Sequence, residues 1–177
     1  MRRIFYFLAT NAAIMIVLGV VMQFLPAEYQ TEQGRFMVFA IIAGFGGSIF
    51  SLLMSKSMAK RAAGVQVITT PKNETEQWLL STVERQAREA GIGMPEVGIF
   101  NTHDMNAFAT GASRNNALVA VSSGLLAQMT RDEAEAVMAH EIAHVANGDM
   151  ITLTLIQGIV NVFVLYLARA LALAIDR

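Results

Sequence analysis

Residues 130–149 read TRDEAEAVMAHEIAHVANGD and set the architecture of the chain. Thr130 and Glu133 have the spacing of a capping box, which predicts a helix that begins at Arg131. The interior of the stretch has no proline, no glycine and no run of β-branched residues. Gly148 can adopt the left-handed conformation that ends a helix. The sequence therefore predicts a single helix that ends just before Gly148.

Two of the chain's three histidines, His140 and His144, lie in the middle of this helix. Residues four positions apart on an α-helix are separated by about 40° around the axis and about 6 Å along it, so both imidazoles can reach one metal ion. Glu141 lies between them, beside the position of a metal-activated water. We interpret His140 and His144 as Zn²⁺ ligands and Glu141 as the general base of a metal-assisted peptide-bond hydrolysis.

A zinc site with two histidines needs a third protein ligand. Asp149 would point away from the metal if the helix continued, and Glu133 lies about 10 Å along the axis from His140. His103 is the remaining histidine, and we interpret it as a surface or hydrogen-bonding loop residue. We therefore expect the third ligand to be a glutamate or aspartate beyond Arg177.

The composition is typical of a membrane protein: 54% of the 177 residues are hydrophobic and 15% are charged, and the mean hydropathy is +0.46. Three apolar runs, at residues 4–25, 36–54 and 151–175, are long enough to cross a bilayer. The first run follows two arginines, as a secretory signal does. It is longer than the apolar core of a signal and lacks a small-x-small cleavage site, so we expect it to remain as an anchor.

Basic residues predict how the first two runs are oriented. They are Arg2 and Arg3 before the first run and Lys56, Lys60 and Arg61 after the second, against Arg35 alone between the runs. Because positive charge accumulates on the cytoplasmic side, both outer flanks are expected in the cytoplasm. Arg169 in the third run fits a full span poorly: either it faces a polar bundle interior or the run does not span completely.

We predict three parts: a membrane anchor hairpin at residues 1–55, a small cytosolic metalloprotease domain of zincin type at 56–150, and a third hydrophobic helix at 151–177. The fold class is thus membrane α-helical plus α+β. The central part has β-prone runs and two helical segments before the histidine helix. The predicted strands are 65–69, 97–100, 106–110 and 117–121, and the predicted helices are 74–90 and 123–129.

Small residues recur along the second apolar run with the spacing of a helix face, which predicts close packing against another helix of this chain or of a neighbour. One line consists of Ala43, Gly47, Ser51 and Ser55, and an adjacent line consists of Ala40, Gly44 and Ser48. The lipid bilayer is a further expected partner. The net charge of −1 and the absence of a basic stripe give no reason to expect nucleic acid.

The motifs NAFATG (106–111) and DEAEAVMAHEIAHVANGD (132–149), together with the two-span opening, closely resemble the HtpX-like membrane zinc metalloproteases of the M48 peptidase family. The resemblance covers the whole chain. It implies a four-helix anchor in the bacterial inner membrane and a catalytic domain that faces the cytoplasm. It also implies quality control of membrane proteins under stress, with membrane proteins or misfolded polypeptides as substrates.

Carried over residue by residue, the resemblance makes His140 and His144 zinc ligands and Glu141 the catalytic base. It implies that the third ligand is a glutamate after the fourth membrane helix. Because this sequence does not contain that ligand, we expect the chain as given to be inactive. The resemblance further suggests that Asn106, Ala107 and Phe108 form an edge strand that pairs with an extended substrate, the alternative being an ordinary strand of the core.

Two other functions stay open on the sequence alone. In an intramembrane zinc protease the motif would lie inside a span, which the charged start of the helix disfavours. In a non-catalytic membrane adaptor or assembly subunit the zinc motif would be a relic. Metal content separates this second alternative from a protease.

Overall fold

The computed structural model describes residues 31–175 and the isolated helical positions Ile16 and Val20. Apart from those two positions, the predicted first span at 4–25 lies outside the described residues. The elements follow one another along the chain as α1 (Glu32–Ala63), β1 (Gln66–Val67), α2 (Glu74–Glu89), β2 (Glu96–Phe100), β3 (Ala107–Ser113), β4 (Asn116–Ser122), α3 (Ser123–Gln128), α4 (Arg131–Asn147) and α5 (Asp149–Ile175). Helices combined with a small mixed sheet confirm the coarse fold class.

The described chain divides into two compact units. One contains α1 up to Ile49 and α5 from Leu155, and the other runs from Phe50 to Thr154. Helix α1 continues without a break to Ala63, so the predicted boundary between residues 55 and 56 falls inside a helix. The helix continues past residue 55 because the first residue after the apolar run with the positive φ that ends a helix is Gly64, at 66°. The three-part division of the chain stays a prediction.

The sheet of the second unit has the strand order β1-β2-β4-β3. Strands β2 and β4 are parallel, whereas β1 pairs with β2 and β3 pairs with β4 in the antiparallel sense. Within this sheet, β3 is therefore an edge strand. The β-prone runs of the sequence all appear as strands, with ends that differ by a few residues.

The hairpin between β3 and β4 is tighter than the predicted six-residue connection at 111–116. Pairing extends to Ser113 and Asn116, with an irregularity between Gly111 and Ser113. Gly111 has a φ of 152°, and a Cβ atom there would lie 2.3 Å from the carbonyl oxygen of Asn116. The strand can continue through this position because glycine has no side chain.

One hydrophobic core joins the sheet to helices α2 and α4. Its fully buried members come from these helices and from β2 and β4, and they are Leu79, Val83, Val97, Val119, Val121, Met138 and Ile142. Burying each of these side chains contributes about 1.5–3 kcal/mol before the entropy of ordering is subtracted. The core fixes which side of α4 faces the sheet.

The predicted start and end of α4 are both confirmed. The Thr130 side chain accepts a hydrogen bond from the Glu133 amide, and the Glu133 carboxylate accepts one from the Thr130 amide. Gly148 ends the helix in the left-handed region, with φ 75° and ψ 27°. Both ends follow from local sequence, and so the histidine pair lies within an intact helix.

Near its end, α1 is attached to the sheet of the second unit through one carboxylate. Lys56 Nζ and Lys60 Nζ each lie 2.9 Å from an oxygen of Glu96, at the start of β2. Hydrogen bonds from the two lysines lower the pKa of Glu96 below its usual value, and the bond from Lys60 has the larger effect. This part of α1 therefore belongs with the sheet.

Two helices of the described residues are long and apolar enough to cross a membrane: Glu32–Ala63 and the segment Asp149–Ala172 of α5. Arg169, which fitted a full span poorly, is paired in the first unit. It donates to Glu32 at 2.8 Å and lies 4.4 Å from the ring centroid of Phe36. The guanidinium therefore has a carboxylate and an aromatic ring as partners, and it is not left unpaired among apolar side chains.

The first unit contains a close contact between α1 and α5 along the line of Ala40, Gly44 and Ser48, all three of which are buried. A Cβ atom at Gly44 would lie 2.7 Å from Val162 Cγ2 and 3.1 Å from the carbonyl oxygen of Gly158. The other small-residue line is not the one used here, since Gly47 is exposed. A partner for the Ala43, Gly47 and Ser51 line stays a prediction.

A polar contact accompanies this packing. The side-chain amide of Asn161 donates to Ser48 Oγ at 3.2 Å and to the carbonyl oxygen of Gly44 at 3.4 Å. Hydrogen bonds of this kind between apolar helices are worth about 0.6–2 kcal/mol. They fix the register of α5 against α1.

The glycine contact predicts different outcomes for two neighbouring substitutions. Gly44→Ala should lower the unfolding temperature of the detergent-solubilised protein, because overpacking costs about 1–3 kcal/mol. Gly47→Ala is the matched control: no other atom of the described chain lies within 4 Å of its added Cβ, and alanine favours the helix by about 1 kcal/mol. Equal destabilisation by both changes would contradict the assignment of the contact to Gly44.

Candidate active site

The side chains of His140 and His144 meet on the exposed side of α4. Their Nε2 atoms are 3.1 Å apart. Two imidazole nitrogens bound to one tetrahedral zinc ion, each at about 2.0–2.1 Å, are separated by about 3.3 Å. The separation of the two nitrogens is therefore close to that of two corners of a zinc site.

The contact of Asp149 with His144 is the feature that the sequence reasoning missed, because the prediction for Asp149 applied only to a helix that continues past it. The prediction assumed a continuing helix, but α4 ends at Gly148 and Asp149 begins α5. Asp149 Oδ2 lies 2.5 Å from His144 Nδ1. The pKa of His144 is raised above its ordinary value, and this hydrogen bond is the largest cause. The only signal in the sequence was Gly148, which permits the change of direction.

Glu141 connects the histidine helix to the sheet edge. Its Oε2 atom accepts a hydrogen bond from the backbone amide of Ala109, on β3, at 3.0 Å. The side chain is half-buried. This hydrogen bond holds one oxygen of the carboxylate at the edge strand.

Asn106, Ala107 and Phe108 lie at the start of the edge strand. The Ser122 amide donates a hydrogen bond to the Asn106 carbonyl oxygen at 2.9 Å, and the Asn106 amide donates one to Ser122 Oγ at 3.0 Å. In an antiparallel ladder, bonded residues alternate with residues whose backbone groups point outward. Phe108 therefore bonds towards β4, whereas the backbone of Ala107, like the amide of Ala109, points away from the sheet.

The side chains of this strand divide between the two faces of the sheet. Ala107 and Ala109 pack against the core on the side of α4. The ring of Phe108 lies 5.4 Å, centroid to centroid, from that of Phe100 on the other face. Small residues on the α4 side allow the helix and its carboxylate to come close to the strand.

The described residues bring two candidate ligand nitrogens together, those of His140 and His144, and do not supply a complete metal site. No group of three or more histidine, cysteine, aspartate or glutamate side chains with the geometry to hold a metal ion occurs among residues 31–175. His103 is an exposed loop residue whose carbonyl accepts from Gln128 Nε2 at 2.9 Å.

Comparison with known proteins matches residues 73–177 to the model of peptidase family M48. Protease HtpX of Tolumonas auensis is 63% identical over 175 residues, which are 97% of this chain and 60% of that protein. Protease HtpX of Thioalkalivibrio sulfidiphilus is 59% identical over 184 residues, which are 100% of this chain and 62% of that protein.

The crystal structure of S. mikatae Ste24p resembles the fold with a TM-score of 0.58 and 15% identity, covering 92% of this chain and 36% of that one. At this identity the likeness concerns the fold alone. The chain spans about 60% of the length of the HtpX relatives quoted above. The match to the family model and the identity along nearly all of the chain agree with each other, and the chain belongs to peptidase family M48.

Proposed function

We propose that this chain forms part of a membrane-anchored zinc metalloendopeptidase, which hydrolyses peptide bonds by a zinc-activated water. The observation that carries the proposal is the 3.1 Å approach of His140 Nε2 and His144 Nε2 beside a carboxylate held by the edge strand. A motif that arose by chance is not expected to combine two nearby ligand nitrogens, a carboxylate held in place and a strand edge.

His140 and His144 would hold the zinc ion through their Nε2 atoms. A zinc ion held there would supply Lewis acidity that lowers the pKa of water and polarises the scissile carbonyl. Glu141 would accept the proton of the attacking water through the oxygen that Ala109 does not bind, and would later deliver it to the leaving amine. Its hydrogen bond from Ala109 keeps the carboxylate from rotating away between the two proton transfers.

The edge strand provides a place for an extended substrate. The outward amide and carbonyl of Ala107 can pair with a substrate backbone, as in other cases of strand addition. The neighbouring outward amide, that of Ala109, is already bonded to Glu141. Substrate pairing at Ala107 would therefore lie next to the general base, which is where the scissile bond has to be.

The wider role follows the same proposal. We propose a multi-pass protein of the bacterial inner membrane whose catalytic domain faces the cytoplasm. Apolar helices long enough to cross a membrane and the HtpX relatives support the membrane location, and the basic residues that flank the apolar runs support the orientation. We propose membrane proteins or misfolded polypeptides as substrates, and quality control under stress as the role. The lipid bilayer is the remaining partner, and nothing in the charge pattern suggests nucleic acid.

Replacement of Glu141 tests the role of the base. In the full-length protein, Glu141→Gln should lower kcat for peptide cleavage by at least about 10²–10⁴-fold, because the amide cannot accept the water proton. Zinc content should stay at the wild-type level, since Glu141 is not a ligand. Both quantities are measured on one preparation, by peptidase assay and elemental analysis. Cleavage at the wild-type rate would reject the assignment.

A proline substitution tests the edge strand. Ala107→Pro removes one outward amide and leaves the bonds to β4, so kcat/KM should fall by about 2–13-fold, the equivalent of one hydrogen bond of about 0.5–1.5 kcal/mol. Ala107→Ser is the matched control, because it retains the amide and keeps a small side chain where α4 approaches the strand. Unchanged kcat/KM in the proline variant, or an equal loss in both, would argue against substrate pairing at this position.

A polypeptide of these 177 residues alone should bind zinc weakly and cleave nothing. Its described residues offer two histidines, and a site of two neutral ligands lacks the charge and closure of a His₂Glu site. Dialysis against a chelator followed by elemental analysis measures the retained metal. Retention of one zinc per chain would overturn this expectation. If the full-length protein also lacks zinc and activity, a non-catalytic adaptor with a relic motif becomes the better description.

A further inference from the structure

Asp149 approaches His144 from the side opposite the paired nitrogens. Its Oδ2 atom is 2.5 Å from His144 Nδ1, while His144 Nε2 is 3.1 Å from His140 Nε2. The two ring nitrogens of His144 thus have different and specific neighbours. One nitrogen faces a carboxylate and the other faces the second imidazole.

This arrangement determines where the proton of a neutral His144 ring resides. An ionised carboxylate only accepts hydrogen bonds, so the proton has to be on Nδ1. The lone pair is then on Nε2, which points towards His140. Metal-binding histidines usually have such a partner, which fixes both the tautomer and the plane of the ring.

The backbone at Gly148 makes the contact possible. On a continuing helix, residue 149 would lie five positions after His144, about 140° further around the axis. With φ at 75°, Gly148 redirects the chain, and Asp149 turns back towards the ring. A Cβ atom at Gly148 would have ordinary contact with Arg114 at 3.9 Å, so backbone conformation and not space restricts this position to glycine.

We propose that Asp149 is a positioning residue, which holds His144 with its Nε2 lone pair directed at the zinc position. This inference rests on the proposed zinc site and adds a residue to it. Asp149 touches neither substrate nor metal, and it acts through His144. Gly148 is the backbone element that delivers it.

The experiment uses the full-length protein and two separate readouts. Asp149→Ala should weaken zinc binding by about 10–100-fold, measured by competition with a chromogenic chelator. In the metal-free protein, at a pH where the imidazoles are neutral, ¹⁵N NMR should show the His144 proton on Nδ1 in the wild type. In the variant, the Nε2–H tautomer should become substantially populated.

Asp132→Asn is the matched control, because Asp132 is an exposed carboxylate in the first turn of the same helix. It should leave both the zinc affinity and the tautomer unchanged. An acidic residue at the start of α5 also stabilises the N-terminus of that helix. If this were the only role of Asp149, its replacement would shift the unfolding temperature and leave the His144 tautomer unchanged. Zinc affinity within about twofold of the wild type, with an unchanged tautomer, overturns the proposal.

A second pair of variants tests the proposal if the Asp149→Ala protein does not fold. Gly148→Asn can adopt a positive φ and should preserve the His144 tautomer, whereas Gly148→Ala should shift it. The tautomer is read without metal. A wild-type protein that fails to bind zinc would therefore refute the proposed function, while a wild-type His144 protonated on Nε2 would refute the positioning role.

Discussion

The burial of one side of α4 against the sheet governs the whole site. Its buried residues, Ala134, Met138, Ile142 and Val145, recur with helical spacing. At 100° per residue, His140 and His144 then lie more than about 100° from the centre of this buried face, and Glu141 lies about 60° from it. Hydrophobic packing of the helix thus turns the histidines outward and brings the glutamate to the margin of the sheet.

The margin of the sheet matters because of which strand lies there. Strand β3 is at the edge, so its outward amide at Ala109 has no strand to pair with and bonds instead to Glu141. An unpaired amide at this place would be costly to bury. The same contact satisfies the strand and fixes the carboxylate, so Glu141 and the sheet edge are held together.

How much of this could be read from the sequence depended on the range of the interactions. The bounds of α4 were predictable because the capping box and Gly148 are local signals. The contact of Asp149 with His144 was not, since it requires the chain to leave the helix at Gly148 and to turn back. Similarly, helical periodicity identified two lines of small residues on α1, but only packing against α5 selects the line with Gly44.

The site is organised by hydrogen bonds within the protein before any metal enters. Glu141 is held by Ala109, and His144 is held by Asp149. An ion that bound His144 would not have to supply the entropy of ordering that ring, which costs up to about 2 kcal/mol for a side chain. In the described residues the side chains of the proposed site are therefore already ordered by protein hydrogen bonds.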